Sequence, residues 1–245
     1  MKHLNHHRSY RNLCSPESDE TASQIVVEQS DLYIISKTDL RSHVLDRLNK
    51  IRRDIKGYIL LSPEFSHSLI PVETDEKAPA IVRAMAGASR LFGVGPMAAV
   101  AGAIAQDIAD HGSKISPDIL VENGGDIFMH SSRDRVVGLL PHPDEPLALG
   151  IKISGKETPC AVCSSSATIG HSLSLGQGDL VTVRSRSGAV ADAGATFLCN
   201  MLRSRKSLKK INQMQEELQQ KGITGVLAQL DHELVVWGEM ELTMT

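Results

Sequence analysis

Two short stretches hold the side chains best suited to chemistry. Ser164-Ser165-Ser166-Ala167-Thr168-Ile169-Gly170-His171-Ser172 gathers hydroxyls, small residues and an imidazole in a run too polar for a core. Ala191-Asp192-Ala193-Gly194-Ala195-Thr196 places a carboxylate and a hydroxyl four positions apart, so on a helix they face the same way. A hard cation such as Mg²⁺ takes oxygens of this kind, completed by backbone carbonyls, water and substrate phosphates. The first stretch is thus a candidate ligand-binding segment through Ser165, Ser166, Thr168, Gly170 and Ser172. Asp192 and Thr196 are a candidate metal pair.

Two glycine-bearing stretches could complete such a site. Gly93-Val94-Gly95-Pro96 leads into a helix of Ala and Gly residues, with Met97, Val100, Ile104 and Ile108 as its apolar stripe and Gly112 near its end. Its small surface lets a second backbone or a ligand come close, and its N-terminal N–H groups suit an anion. A tightly packed core helix and an anion site at Gly93 and Gly95 are equally open readings. Glu122-Asn123-Gly124-Gly125-Asp126 breaks a strand with paired glycines, as a hairpin turn does, and its acids could serve a ribose or an amide.

The elements that must carry these groups can be read in order. Residues 1–24 are polar and irregular, with His3, His6 and His7 on a solvated terminus, Tyr10-Arg11, and the acidic run Glu17-Ser18-Asp19-Glu20. Ile25–Val27 and Leu32–Ile35 form a hairpin around Gln29-Ser30-Asp31. Leu40, Val44, Leu48, Ile51, Ile55 and Ile59 recur at three and four, predicting a helix from Thr38-Asp39 to Leu61 that Pro63 stops. A short helix follows at Ala80–Leu91. Strands are predicted at Ile119–Val121, Arg135–Leu140, Leu147–Ile153 and Leu180–Val183, and a small-residue helix at Gly188–Leu202. Arg203, Arg205, Lys206, Lys209 and Lys210 read as the solvated face of one helix capped by Gly222, and a hairpin closes the chain. The organisation is one domain over 25–245 behind the irregular segment.

The totals narrow the function classes. A chain of 245 residues with 41% hydrophobic and 22% charged residues can bury a core and has the balance of a soluble protein. Aromatics at 3% leave little for stacking nucleobases, and a net charge of −3 gives no pull toward nucleic acid or an anionic membrane. No apolar run approaches a span of about 18 residues and no signal peptide is visible, so the expected location is cytoplasmic. Cys160-Ala-Val-Cys163 has the spacing of a redox or zinc pair. A single such pair on a strand would point its thiols to opposite faces, so a structural role is expected.

Gly93–Ala105, Glu122–Ile127 and Ser164–Asn200 together resemble an uncharacterised branch of the ApbE-like superfamily. The most specific parts are Ala167-Thr168-Ile169-Gly170-His171-Ser172-Leu173-Ser174-Leu175-Gly176 and Ala191–Thr196, and with Tyr10-Arg11 the likeness covers nearly the whole chain. It implies an α+β fold of mixed or antiparallel sheets packed with helices and a flavin (FAD or FMN) in a cleft. It also implies Mg²⁺ on an Asp-x-x-x-Thr helix, here Asp192 and Thr196, with a backbone carbonyl near Ala103 or Ala105 as third ligand. By the same resemblance Asn123, Gly124, Gly125 and Asp126 form the glycine turn near the flavin. Characterised members are Mg²⁺-dependent flavin transferases that cut FAD and attach FMN to a threonine of a partner protein.

The chain departs from those transferases at two motifs. Their His-x-x-Asp-Pro-x-Thr-Gly signature is replaced by His171-Ser172-Leu173-Ser174-Leu175-Gly176, and their Ile-Ala-Lys-Gly run by Ile104-Ala105-Gln106-Asp107. Two readings follow. In the first, the protein acts on a flavin nucleotide or similar small molecule, with His171 and Asp192 catalytic. In the second, it is a non-catalytic ligand-binding or accessory protein working with a partner in sulfur assimilation, the process to which some of the branch is linked. Either reading admits a homodimer.

Overall fold

In a computed structural model the chain is described for residues 16–139, 149–166, 180–231 and 233–244. Eight strands run β1 (Thr21–Val27), β2 (Ser30–Ser36), β3 (Ile119–Asn123), β4 (Asp126–His130), β7 (Cys160–Ser165), β8 (Leu180–Ser185), β9 (Ile223–Leu230) and β10 (Glu233–Gly238), side by side in that order. A second sheet of three pairs β11 (Glu241–Met244), β6 (Leu149–Ile153) and β5 (Arg135–Gly138). Every strand pair among the described residues is antiparallel, so of the mixed or antiparallel sheets expected, the chain uses the second. The α+β class stands.

Alternation along the strands explains why the large sheet lies between two layers. Leu32, Ile34, Val121, Phe128, Cys163, Val181 and Val183 point to one face and join the helices in the main core. Ile35, Leu120, Ile127, Met129, Cys160, Val162 and Leu227 point to the other and pack on the small sheet. β3, β7 and β8 are buried on both faces: each opens on apolar residues, and their polar side chains, such as Glu122, Thr182 and Arg184, are buried as well. Cys160 and Cys163 accordingly fall in different cores, and their spacing makes no metal or redox pair.

The helical layer follows the expected pattern with adjusted ends. α1 (Arg41–Leu61) buries Val44, Leu48, Ile51 and Ile55. α2 (Ala80–Phe92) ends at Gly93, whose φ of 68° is the left-handed cap that favours glycine. A 3₁₀ turn, Pro96–Ala99, leads into α3 (Val100–Gly112). α4 (Gly188–Met201) starts from Ser187, whose hydroxyl accepts from the Val190 N–H at 3.4 Å. The basic segment forms two helices rather than the one expected, α5 (Arg205–Gln213) and α6 (Gln215–Gln220), with Leu208, Ile211 and Leu218 buried and the cations outside. Among the described residues no single helix is long and apolar enough to cross a membrane.

The N-terminal segment is less irregular than its composition suggests. β1 starts at Thr21, four residues before the expected boundary, because Glu20 is drawn into the body. Its carboxylate is buried against the Arg135 guanidinium, with one contact at 2.8 Å, while Asp19 holds Arg133 at 2.9 Å. Charged partners from β5 and the turn before it thus fix the entry to the first strand.

α3 and α4 meet backbone to backbone. The Gly102 carbonyl faces the Gly188 Cα and the Gly188 carbonyl faces the Gly102 Cα, and a Cβ on Gly102 would stand 2.8 Å from the Asp192 Cβ. Gly102→Ala therefore forces the two helices apart, at a cost of about 1–3 kcal/mol of overpacking. Gly87, inside α2 with open space at its Cβ position, serves as the control: Gly87→Ala should gain about 0.5–1 kcal/mol in helix propensity. Urea denaturation of both variants reads the contrast, and equal effects would contradict the crossing described.

Candidate functional site

The β3–β4 turn, the end of β7 and the facing ends of α3 and α4 converge on the helical side of the large sheet. Asn123 pairs with Asp126 across the two-residue loop Gly124-Gly125, whose φ values of 72° and 104° suit a primed hairpin turn. Glu122 accepts the Gly125 N–H at 2.7 Å and tightens the loop. The Asn123 amide donates to the Ala101 carbonyl at 3.1 Å, which pins the turn to the first turn of α3.

The resulting arrangement brings together two carboxylates, Asp126 buried and Asp192 half-buried. Asp192 turns inward and accepts the Gly102 N–H at 2.9 Å, so it caps the N-terminus of α3 from another helix. Burial lifts its carboxyl to about 7, against the downward pull of the Gly102 and Ala101 amides. Asp126 is buried at the start of β4, and its carboxyl is pushed well above the ordinary range, first by burial and then by the charge of Asp192. The Ser164 N–H donates to it at 3.3 Å. Among the described residues neither carboxylate forms an ion pair.

Two further buried groups line this face. Ser165 is 4% exposed, and its Oγ has no hydrogen-bond partner among the described residues. An unpaired buried hydroxyl carries a desolvation cost that a ligand atom would relieve. Cys163 is fully buried; its thiol lies 3.7 Å from the Gly188 carbonyl and also against Asp126, and its one proton serves one acceptor at a time. Burial raises that thiol well above its usual range, which keeps it protonated and unreactive.

Several residues singled out from sequence fall in place around this centre. Asn123, Gly124, Gly125, Asp126, Ser165, Asp192 and Thr196 come from the turn, from β7 and from α4, with Thr196 buried one turn beyond Asp192. Ser166 follows β7 directly. Gly93 and Gly95 have local backbone duties. Gly93 ends α2, and a Cβ on Gly95 would stand 2.9 Å from the Ser68 carbonyl carbon. The helix N-terminus that Gly93–Pro96 leads into already holds an anion, the Asp192 carboxylate. Thr168, Gly170, His171 and Ser172 lie outside the described residues, as does Tyr10-Arg11.

Sequence reasoning missed one participant. Gln106 replaces the lysine of the transferase run, and its Oε1 accepts the Gly188 N–H at 2.8 Å, capping α4 from α3. The two helices therefore cap each other, Asp192 onto Gly102 and Gln106 onto Gly188. Gly102 and Gln106 are one turn apart, as are Gly188 and Asp192, and that paired i, i+4 spacing was the available signal. Asp107, the other departure, forms a bidentate pair with Arg47 of α1 at 2.6 and 2.9 Å.

Comparisons with known proteins agree on one family. A family model described as AbpE bacteria matches residues 11–235. A UPF0280 protein of Methanocaldococcus jannaschii is 38% identical over 201 residues, covering 80% of this chain and 82% of the relative. One of Methanothrix thermoacetophila is 36% identical over 223 residues, covering 90% of each. Among solved structures, an H257G mutant of the flavin transferase ApbE of Vibrio cholerae superposes with a TM-score of 0.57 at 14% identity. That match covers 91% of this chain and 98% of the other. The ApbE protein of Thermotoga maritima gives 0.54 at 13% identity, over 89% and 96%. At that identity the structural likeness establishes the fold.

The half-buried Asp192 carboxyl sets a pH dependence. A carboxyl raised to about 7 when folded and near 3.8 when unfolded keeps a proton that the unfolded chain gives up in between. Stability from Asp192 is therefore intact below the lower value and is lost as pH rises through the upper one. Asp192→Asn retains an acceptor for Gly102 but no charge. In metal-free protein its Tm should exceed wild type at pH 8, with the gap closing toward pH 4; a uniform loss at every pH would refute the assignment.

Proposed function

The chain belongs to the ApbE-like superfamily, in its UPF0280 branch, and from that premise we propose that it binds a flavin nucleotide, with Mg²⁺ held by Asp192 and Thr196. The observation carrying this reading is a pair of neighbouring carboxylates, Asp126 buried and Asp192 half-buried, with no cationic partner among the described residues, beside a buried Ser165 hydroxyl with no hydrogen-bond partner among them. Such a donor set fits a hard cation and a phosphorylated or hydroxylated ligand. When bound, Mg²⁺ would supply charge neutralisation on the pyrophosphate.

The chain's own residues have separate tasks in this reading. Asp192 and the Thr196 hydroxyl hold the cation from one face of α4. The Gly124-Gly125 turn leaves room for a flat ring or ribose close to the backbone, and Asn123 fixes that turn on α3. Ser165 and Ser166, with Thr168, Gly170 and Ser172 beyond them, bind the ligand's polar groups. His171 moves a proton at the phosphate. The protein is then a cytoplasmic enzyme of flavin-nucleotide chemistry, and a protein partner would be the acceptor in a transfer of the ApbE type.

A second reading has one observation in its favour. Gln106 is neutral and already spent on Gly188, so this position brings no cation to a pyrophosphate. That favours a protein that binds the ligand without cleaving it, an accessory to a partner such as the sulfur-assimilation role carried by the family resemblance.

Thermal shift with FAD, FMN and ADP, each with and without Mg²⁺, separates these readings. FAD should raise the Tm in a concentration-dependent way only with Mg²⁺, by about 2.7 kcal/mol of stability at a hundredfold excess over Kd, and Asp192→Asn should lose this shift. Chromatography of the same mixtures detects FMN and AMP. Cleavage that falls at least about 100-fold in Asp192→Asn supports the enzyme. Binding with no cleavage under any metal condition supports the accessory protein, and no shift with any flavin rejects both.

A further inference from the structure

We propose that Gln106 is the positioning residue for Asp192, acting through the N-terminus of α4. The first N–H groups of a helix have no partner within it, and Gly188, the first residue of α4, is buried where water cannot substitute. Its own sequence supplies Ser187, whose hydroxyl reaches Val190 and leaves Gly188 unserved. The partner comes from α3, where the Gln106 Oε1 accepts the Gly188 N–H at 2.8 Å. One turn along each helix the relation is reversed, with Asp192 of α4 accepting the Gly102 N–H of α3 at 2.9 Å.

The glycine crossing makes these two bonds depend on each other. Gly102 and Gly188 touch through carbonyl and Cα in both directions, so neither helix can tilt toward the other to recover a lost bond. The remaining freedom is a slide of α4 along α3. A slide lets the stranded Gly188 N–H find another acceptor, and it carries Asp192 off the Gly102 amide. Gln106 therefore fixes the register in which the Asp192 carboxylate meets α3, through Gly188 rather than by touching Asp192 itself. That the register also tunes cation binding rests on the proposed role of Asp192 as a metal ligand; the positioning itself does not.

Amide hydrogen exchange by NMR on the metal-free, full-length chain tests the positioning. Gln106→Leu keeps the volume and removes the acceptor, and Gln106→Glu keeps the acceptor. In Gln106→Leu the Gly102 amide should exchange at least 10-fold faster while the Ile108 amide, deeper in α3, stays at the wild-type rate. In Gln106→Glu the Gly102 amide should stay protected. Unchanged Gly102 protection in Gln106→Leu overturns the proposal, as does acceleration of Gly102 and Ile108 together, which would mark general loosening. Should Gln106→Leu not fold, Gln106→Asn withdraws the acceptor by one methylene and is read by the same criteria. Mn²⁺ binding followed by electron paramagnetic resonance gives the linked readout, with about 10-fold weaker binding in Gln106→Leu. If wild type binds no Mn²⁺, the metal reading fails while the exchange result still decides the role of Gln106.

Discussion

The contact on which the rest depends is the backbone crossing of α3 and α4 at Gly102 and Gly188. Two helices with ordinary side chains pack with axes about 8–10 Å apart. Only residues without a Cβ allow carbonyl to meet Cα, and each glycine here fills that requirement for the other. The close approach brings the first-turn amides of each helix within reach of a side chain on its neighbour. Asp192 takes the Gly102 amide and Gln106 the Gly188 amide, so an orphan donor at each helix end is satisfied by the neighbouring helix.

Placing Asp192 there has an electrostatic consequence. The α3 N-terminus favours an anion, yet desolvation of the half-buried carboxyl outweighs the amides in setting its proton affinity. Asp126, held by the β3–β4 turn and facing the same space, adds like charge. A fold gains nothing in stability by drawing two carboxylates together with no cation beside them among the described residues. The cost is of the kind retained at sites that handle ligands. Ser165, buried on the same face with its hydroxyl unpaired among the described residues, fits that pattern.

The three-layer architecture explains how such a site is kept rigid. The large sheet is covered by helices on one face and by the small sheet on the other, so β3, β4 and β7 are fixed from both sides. The turn bearing Asn123 and Asp126 grows from two fully buried strands and is tied to Ala101. The first strand is held at its start by ion pairs of Asp19 and Glu20 with Arg133 and Arg135.

What the sequence determined by itself was local. The apolar stripe of α1, the strands at Ile25–Val27 and Leu32–Ile35 and the paired glycines after Asn123 each specify a conformation through nearby residues, and each formed as read. The i, i+4 spacing of Asp192 and Thr196 likewise put both on one helical face. What only the tertiary structure decided was which groups meet across elements. The N-terminus of α3 offered its amides to any anion, and the fold assigned them to Asp192, ninety residues away in the chain. Gln106 looked like a lost lysine and is a cap for Gly188. Glu20 looked solvated and is buried, because its partner lies on a strand more than a hundred residues later. Propensity and spacing are fixed by the chain over a few residues. The partner of a buried polar group is set by packing, which brings distant segments together and leaves each such group to be paired where it lands.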